Sequence, residues 1–414
     1  MPDSNSRYDK YKSSSFRSIS HSDSDFITPE EAAVADNLDD EIDDKVEIAT
    51  KMPNKKSTKI SRLIKWLKQH KIVDTAIVIL IVIIGLSIYA LTLHSSTKII
   101  KNQQITTHKT TTPLKPKSNL VPSNLTGLMV NPSFNKLPVT GVMIENSLFA
   151  RPQSGLGSAG VVFEALAEGG ISRFLALYQD TQPNNVGPIR SARPYYISWD
   201  LGFDAPYAHV GGSPEALTDI TNWNVKDLNQ FYNGNYFHRI TTRQAPHNVY
   251  TAIATLNQLE TIDGYTSSTF TSWTRKADSP LKVPNARVIN FYLSSPDYNV
   301  SYTYNPATNS YLRDEGGAPQ IDANTNQQIS PKVVIAIIVP YSLEADQYHL
   351  VYQTIGSGAA YVFQDGGVTI GQWSKSSNNA QILFTNSKGQ PLALNAGQTW
   401  ITALGDANSV SYTP

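Results

Sequence analysis

The chain of 414 residues contains no cysteine. It therefore forms no disulfide, offers no thiolate nucleophile or cysteine-bound zinc, and carries no lipid on a cysteine. A surplus of either charge is also missing, since 34 basic side chains balance 34 acidic ones. The region 120–414 is mildly acidic, with 16 basic and 20 acidic side chains. Because nucleic acid requires a basic surface, we expect no nucleic-acid partner.

The N-terminal part of the chain divides by charge. Residues 1–50 contain 13 acidic and 5 basic side chains and show no sustained apolar periodicity, which predicts a disordered acidic tail. Residues 51–119 reverse the balance, with 13 basic side chains and one acidic. Eight of these basic residues lie in 51–74, so this segment is interpreted as a basic juxtamembrane region.

The run 75–93 contains nineteen residues without a charge and is dominated by Ile, Val and Leu. As a helix it spans about 28 Å, close to the thickness of a bilayer core. The basic flank places its N-terminal side in the cytoplasm. The sequence therefore predicts a single-pass cell-membrane protein with a cytoplasmic N-terminus and extracytoplasmic globular domains.

Three further segments follow this run. Residues 95–125 are rich in Lys, Thr, Ser and Pro, which predicts a flexible stalk. Strand and helix patterns alternate over 126–265, so the first globular domain is expected to be mixed α/β or α+β. Residues 283–414 contain at least seven short β-rich runs separated by Asn, Gly, Ser and Asp. That spacing is typical of a mainly β domain, sandwich- or barrel-like.

The stretch 161–178 is predicted to be the centre of the first domain. Two apolar, mostly alternating runs flank Gly169-Gly170, and a Gly-Gly pair adopts the positive φ angles of a two-residue hairpin turn. That register places Glu164, Glu168 and Arg173 on one face of the ribbon, with the arginine between the carboxylates. The alternative is a helix through the two glutamates, with ordinary surface carboxylates.

Polar residues in this hairpin and in the loops around it are the candidate ligand contacts. Arg190 and Arg193 present two guanidinium groups to a carboxylate or phosphate, or else pair internally with the hairpin glutamates. The turn 211–213 feeds a predicted helix, whose exposed N–H groups attract anions. The predicted ligand-binding set is Glu145, Asn146, Arg151, Glu164, Glu168, Arg173, Arg190, Arg193, His209, Gly211, Gly212, Ser213, His247 and Asn248.

No complete catalytic constellation is visible in the sequence. Carboxylates four residues apart on one strand face are about 13 Å apart, and an arginine between them keeps both ionised, which argues against a glycosidase pair. The histidines match no metal-ligand spacing, so neither a metal nor a cofactor is expected. Trp373 and Trp400 are more typical of core aromatics than of a sugar-stacking or peptide-docking surface. The catalytic candidates are Glu164, Glu168, His209 and His247.

The first domain contains six distinctive motifs, which are Gly-Val-Met-Ile-Glu-Asn146, Arg-Pro-Gln-Ser-Gly155, Glu-Ala-Leu-Ala-Glu-Gly-Gly-Ile-Ser-Arg173, Gly-Pro-Ile-Arg-Ser-Ala-Arg-Pro194, His-Val-Gly-Gly-Ser-Pro-Glu-Ala216 and Ala-Pro-His-Asn248. In this order they resemble the YerB-like family of bacterial envelope lipoproteins. Gly-Gln-Trp-Ser-Lys375 and Gly-Gln-Thr-Trp-Ile401 are similar to the family's C-terminal domain. The resemblance covers roughly 126–414 and implies a two-domain extracytoplasmic protein of unknown chemistry. The chain departs from the family in its anchor, because relatives typically use a lipidated cysteine.

Three functions are compatible with these features. The first is binding of an anionic wall component, a peptidoglycan peptide or wall polymer, through a groove of the first domain lined by Arg, His and Glu. The second is a cofactor-free envelope hydrolase or transferase that uses Glu164 or Glu168 with a histidine. The third is an adaptor that docks proteins of the cell-wall synthesis machinery. Binding is favoured because polar residues are abundant while no nucleophile or metal cage is recognisable.

Overall fold

The computed structural model describes residues 119–414. The predicted tail, the juxtamembrane segment, the membrane helix over 75–93 and most of the stalk lie outside the described residues. Within 119–414 no helix has the length and apolar character needed to cross a bilayer. The last predicted stalk residues are folded, because Val121–Pro122 pairs with a strand and Leu125 is buried.

Helices are few and short in the described region. The α-helices have 8, 9 and 11 residues, and they are α1 Pro194–Leu201, α2 Pro214–Asn222 and α3 Ile253–Asp263. Proline opens α1 and α2, and the Ser213 hydroxyl accepts the Ala216 N–H at 3.3 Å, so this serine caps α2. The 3-10 helices are Phe134–Lys136, Leu148–Ala150, Leu156–Ser158, Glu168–Gly170, Gly234–Tyr236, Pro296–Tyr298 and Ala407–Ser409.

Strands dominate the described region. In chain order they are β1 Val121–Pro122, β2 Met129–Val130, β3 Thr140–Ile144, β4 Val161–Leu166, β5 Ser172–Tyr178, β6 Pro206–His209, β7 Lys226–Asn229, β8 His238–Arg239, β9 Val249–Tyr250, β10 Arg275–Lys276, β11 Val288–Phe291, β12 Val300–Asn305, β13 Ser310–Glu315, β14 Ala318–Pro319, β15 Ile321–Asp322, β16 Gln327–Gln328, β17 Val333–Ile338, β18 Tyr341–Leu343, β19 Leu350–Tyr352, β20 Gly356–Gln364, β21 Gly367–Lys375, β22 Leu383–Asn386, β23 Leu394–Asn395, β24 Thr399–Leu404 and β25 Val410–Thr413.

A ten-stranded mixed sheet organises these strands, in the order β22-β21-β20-β17-β24-β4-β5-β3-β6-β7. Strands from the first half of the chain pair directly with strands from the C-terminal half, since β24 lies parallel to both β4 and β17. The predicted α/β or α+β first domain is therefore wrong, because the fold is mostly β. The partner of a strand is set by residues distant in sequence, which local patterns do not contain.

A second sheet of five strands, β14-β13-β12-β11-β25, belongs to the C-terminal half. Aromatic side chains join it to the large sheet, with ring centroids 6.2 Å apart for Phe291 and Phe363 and 5.6 Å apart for Phe363 and Tyr412. The C-terminal half is mainly β, as predicted, but its strands share a core with the first half and do not form a sandwich or barrel by themselves.

The predicted hairpin forms, but its register differs by one residue. Glu164 lies opposite Phe174, and Ala165 lies opposite Arg173. The reason is a three-residue turn: Glu168–Gly170 forms a 3-10 helix, and the Ala167 N–H donates to the Ile171 carbonyl across it. A slip of one residue moves every side chain of a strand to the other face. Glu164 and Arg173 consequently emerge on opposite faces, and the predicted arrangement of an arginine between two glutamates is wrong.

Six strands of the large sheet, β3, β4, β6, β7, β17 and β24, run in the same direction. Their carboxyl ends meet at one edge of the sheet. Several family-like motifs follow directly from these ends, including Glu145-Asn146 after β3, Glu168 after β4 and the 211–213 turn after β6. This edge, called the carboxyl edge below, is where most candidate site residues converge.

Candidate functional site

Glu164 is the centre of a fully buried polar network. One of its oxygens, Oε1, accepts from Arg313 Nη2 at 2.9 Å and from Ser172 Oγ at 3.3 Å. The other, Oε2, accepts from Trp400 Nε1 and from Thr402 Oγ1, both at 3.0 Å. A buried carboxylate is tolerated when its charge is paired and its lone pairs are satisfied, as they are here.

Arg313, on β13, supplies the positive charge that Glu164 requires, and it is not among the site residues predicted from the sequence. Its guanidinium donates to the Tyr302 hydroxyl at 2.6 Å and to Gln320 Oε1, and it lies 4.3 Å from the centroid of the Trp400 ring. The side chain has no exposed surface. The ion pair therefore ties the five-stranded sheet to the large sheet and is unavailable to a ligand.

Glu315 extends this network toward the surface. Its Oε1 accepts from Asn146 Nδ2 at 2.6 Å and forms an ion pair with Arg151 Nη2 at 3.2 Å. Burial raises the pKa of Glu315 to about 7, against the opposing effect of Arg313 and with a further increase from the negative Glu164. Arg151 is half-buried, and its guanidinium lies over the Tyr298 ring at 4.9 Å.

Glu168 forms the second buried ion pair. Arg193 binds it through two hydrogen bonds, Nε to Oε1 at 2.7 Å and Nη2 to Oε2 at 2.5 Å. Arg173 Nη2 lies 3.6 Å from the same Oε2. Such a two-pronged pair matches the planar geometry of guanidinium and carboxylate. Of the two alternatives left open for Arg193, the structure shows the internal pairing with a hairpin glutamate, and the side chain is fully buried.

His209 and the turn after it are also engaged internally. Its Nδ1 lies 2.5 Å from the Gly211 carbonyl and its Nε2 lies 2.8 Å from Asp227 Oδ1, with the residue fully buried. The N–H of Gly211 donates to Asn229 Oδ1 at 3.2 Å, and the N–H of Ser213 donates to the Ala192 carbonyl at 3.3 Å. The N–H groups that an anion would use are therefore already occupied at these two positions.

Glu145, His247 and Arg190 form a third cluster, which reaches the surface. His247 Nδ1 lies 2.6 Å from Glu145 Oε1, the Ser147 hydroxyl donates to the same oxygen at 2.7 Å, and Arg190 Nε lies 3.4 Å from Oε2. Burial opposes the charge of Glu145, but Arg190 and the hydrogen bonds lower its pKa to about 2. The half-buried imidazole is thus oriented by an ionised carboxylate.

The surface beside His247 is both apolar and cationic. Leu148 and Phe149 are each 53 % exposed, and the Phe149 ring lies 5.5 Å from the imidazole. Arg239 donates to Asn248 Oδ1 at 2.7 Å, and Arg243 donates to the carbonyls of Ala150 and Pro152, so both arginines contact neutral groups. Residues 228–259 contain no acidic side chain. We call the residues His238, Arg239, Arg243 and His247 the basic surface.

The predicted site residues thus separate by accessibility. Of the ligand-binding set, Arg151, Arg190 and His247 are half-buried, whereas Glu164, Glu168, Arg173, Arg193 and His209 are buried. The catalytic pairing of Glu164 or Glu168 with a histidine is not formed among the described residues, since His247 contacts Glu145 and His209 contacts Asp227. Arg239 and Arg243 were missed, although the acid-free stretch around them was visible in the sequence.

One group of side chains has the composition of a metal site. Glu344, Asp346 and His349, between β18 and β19, place one ligand atom each within 4.8 Å of one another. His349 Nδ1 already lies 2.5 Å from Asp346 Oδ2, which explains their approach without an ion. The absence of a metal stays a prediction.

Comparison with known proteins supports the family resemblance. Residues 125–266 match the profile of the N-terminal domain of a "Protein of unknown function (DUF3048)", and residues 289–401 match the profile of its C-terminal domain. "Putative lipoprotein YerB" of Bacillus subtilis (strain 168) is 28 % identical over 293 residues, covering 70 % of this chain and 88 % of that protein. The crystal structure of the B. subtilis YerB protein superposes with a TM-score of 0.65 at 27 % identity, covering 71 % of this chain and all of that one.

Proposed function

The chain belongs to the DUF3048 family, and we propose that it acts outside the cytoplasm at the cell envelope, where it binds an anionic component of the wall. The location is supported by the similarity to YerB, whose name describes a lipoprotein. The ligand is a phosphate- or carboxylate-bearing wall polymer, and its contact surface is the basic surface together with Leu148 and Phe149.

The observation that carries this proposal is a contrast among arginines. Arg151, Arg190 and Arg193 each pair with a buried carboxylate, so their charge is compensated within the fold. Arg239 and Arg243 donate to neutral amide and carbonyl oxygens instead. An uncompensated guanidinium next to exposed apolar side chains is suited to a polymer that offers both negative charges and apolar carbon-hydrogen surface.

The test is binding of the full-length chain to isolated cell walls, before and after their phosphate polymers have been removed. We expect binding to require the polymers and to weaken as salt is raised, because exposed charges are screened. The variant Arg239→Glu should bind about tenfold more weakly, because one attractive charge becomes repulsive.

The matched control is Arg287→Glu. Arg287 is exposed and directly precedes β11, so the variant reverses a surface charge that is distant in sequence from the basic surface. It should bind as the natural chain does. Wall binding by Arg239→Glu that equals that of the natural chain would refute the proposal. Protease treatment of intact cells tests the location separately, because an extracytoplasmic domain is digested without lysis.

A further inference from the structure

A cavity of about 390 Å³ lies at the carboxyl edge of the large sheet. Leu166 at the end of β4, Pro340 after β17, and Leu404 and Gly405 at the end of β24 line it. Ligand sites typically have volumes of about 300–1,000 Å³, and in open sheets with parallel strands they lie beyond the carboxyl ends of the strands. Both its size and its position are those of a small-molecule site.

The rim of this cavity is aromatic. Tyr292 is 50 % exposed and Tyr341 is 39 % exposed, and both line the cavity. Tyr341 is fixed by packing, because its ring lies 4.9 Å from that of Tyr352 and a Cβ on Gly405 would come within 2.6 Å of it. Aromatic faces carry partial negative charge and attract the C–H bonds of a sugar ring.

The polar lining is short of positive charge. Among residues 119–414, Asp406 is the charged residue that lines the cavity, and no Lys, Arg or His of this region contributes to the lining. Its Oδ1 accepts the Asn408 N–H at 2.7 Å, which leaves Oδ2 to accept from a ligand. A carboxylate accepts hydrogen bonds from hydroxyls and repels anions. The chemistry therefore favours a ligand that is rich in hydroxyl groups and not negatively charged.

We propose that this cavity binds an uncharged N-acetylated sugar of the wall glycan. The tyrosine rings stack on the pyranose, Asp406 accepts from its hydroxyls, and the apolar floor formed by Leu166 and Leu404 receives the acetyl methyl group. An extended peptide fits less well, because β4, β17 and β24 are all interior strands and present no open edge for another strand. The tryptophans considered from sequence are not involved, since Trp373 and Trp400 are buried.

The inference rests on the proposed envelope location but uses a different surface and a different ligand charge. Binding of an uncharged oligosaccharide is tested on the full-length chain by calorimetry with chitotetraose, the β-1,4-linked tetramer of N-acetylglucosamine. Replacement of Tyr292 by alanine removes one stacking face, and we expect binding about tenfold weaker. Tyr292→Phe retains the ring and should bind as the natural chain does.

Tyr232→Ala is the matched control, because it removes a tyrosine that is 70 % exposed and absent from the cavity lining. If Tyr292→Ala fails to fold, Asp406→Asn replaces it, since the amide oxygen retains the contact to Asn408 while the charge is lost. Failure of the natural chain to bind chitotetraose, or unchanged binding by both cavity variants, would overturn the inference. Either result leaves wall binding through the basic surface untouched, because that binding depends on phosphate polymers and Arg239.

Discussion

Glu164 lies on β4 and Glu145 directly follows β3 of the same sheet, and each carboxylate forms an ion pair with an arginine and accepts a hydrogen bond from a hydroxyl. Around Glu164 every partner is buried, and the ion pair with Arg313 joins residues 149 positions apart. Around Glu145 the partners lead outward, to the half-buried His247 and the exposed Phe149. The same pairing chemistry therefore holds two sheets together at one place and orients a surface imidazole at the other.

Charged residues of the family-like motifs therefore have two different structural roles, which are to join the two sheets in the core and to orient a side chain near the surface. A buried ion pair that loses one partner leaves an uncompensated charge in a medium of low polarity. Arg190 and His247, the partners of Glu145, are half-buried and therefore partly hydrated when the carboxylate is lost, so the structural cost is smaller. Substitutions at the two clusters distinguish these cases.

The largest effect is expected for Arg313→Met. Removal of the guanidinium leaves Glu164 charged and buried, which should lower the free energy of unfolding by about 3–5 kcal/mol. Urea unfolding measures the loss. Adding Glu164→Gln to the same chain removes the orphaned charge and should restore part of the stability, whereas a double variant as unstable as Arg313→Met would show that charge is not the cause.

The second largest effect is expected for Glu145→Gln, which should make the stability of the fold less sensitive to acid. The folded-state pKa of Glu145 is lowered from 4.5 to about 2, so its contribution is present above pH 4.5 and is lost as the pH falls toward 2. The contribution is at most about 3 kcal/mol. Unfolding followed between pH 6 and pH 2 should show a steeper decline for the natural chain than for Glu145→Gln. Parallel declines would place the titrating group elsewhere.

The smallest effect is expected for Glu315→Gln, and it should appear as the pH rises instead of as it falls. The folded-state pKa of Glu315 is raised from 4.5 to about 7, so its contribution is full below pH 4.5 and is lost as the pH rises through 7. The variant keeps the oxygen that Asn146 binds, and at pH 8 it should be more stable than the natural chain by about 1–2 kcal/mol. At pH 5 the gain should shrink, and a gain independent of pH would contradict the assignment.

Several local features could be predicted because they depend on neighbours in sequence. Proline after Ser213 opens α2 with that serine as its cap, and two glycines after Glu168 end β4 and reverse the chain. The register of that hairpin could not be predicted, because two- and three-residue turns are both compatible with Gly169-Gly170. Since a slip of one residue exchanges the faces, the predicted register placed Arg173 on the face of Glu164, whereas the observed register places it on the opposite face.

The sequence alone determined the family, the absence of cysteine chemistry, the hairpin and the start of α2, because each depends on the residues present or on close neighbours in the chain. Only the tertiary structure decided that β24 lies between β4 and β17, that Arg313 rather than Arg173 neutralises Glu164, and that Arg193 is buried while Arg239 is exposed. The physical reason is the separation along the chain between the residues that interact. Turns and caps are settled by a few bonded neighbours, whereas charge pairing and exposure depend on which distant segments the core brings into contact.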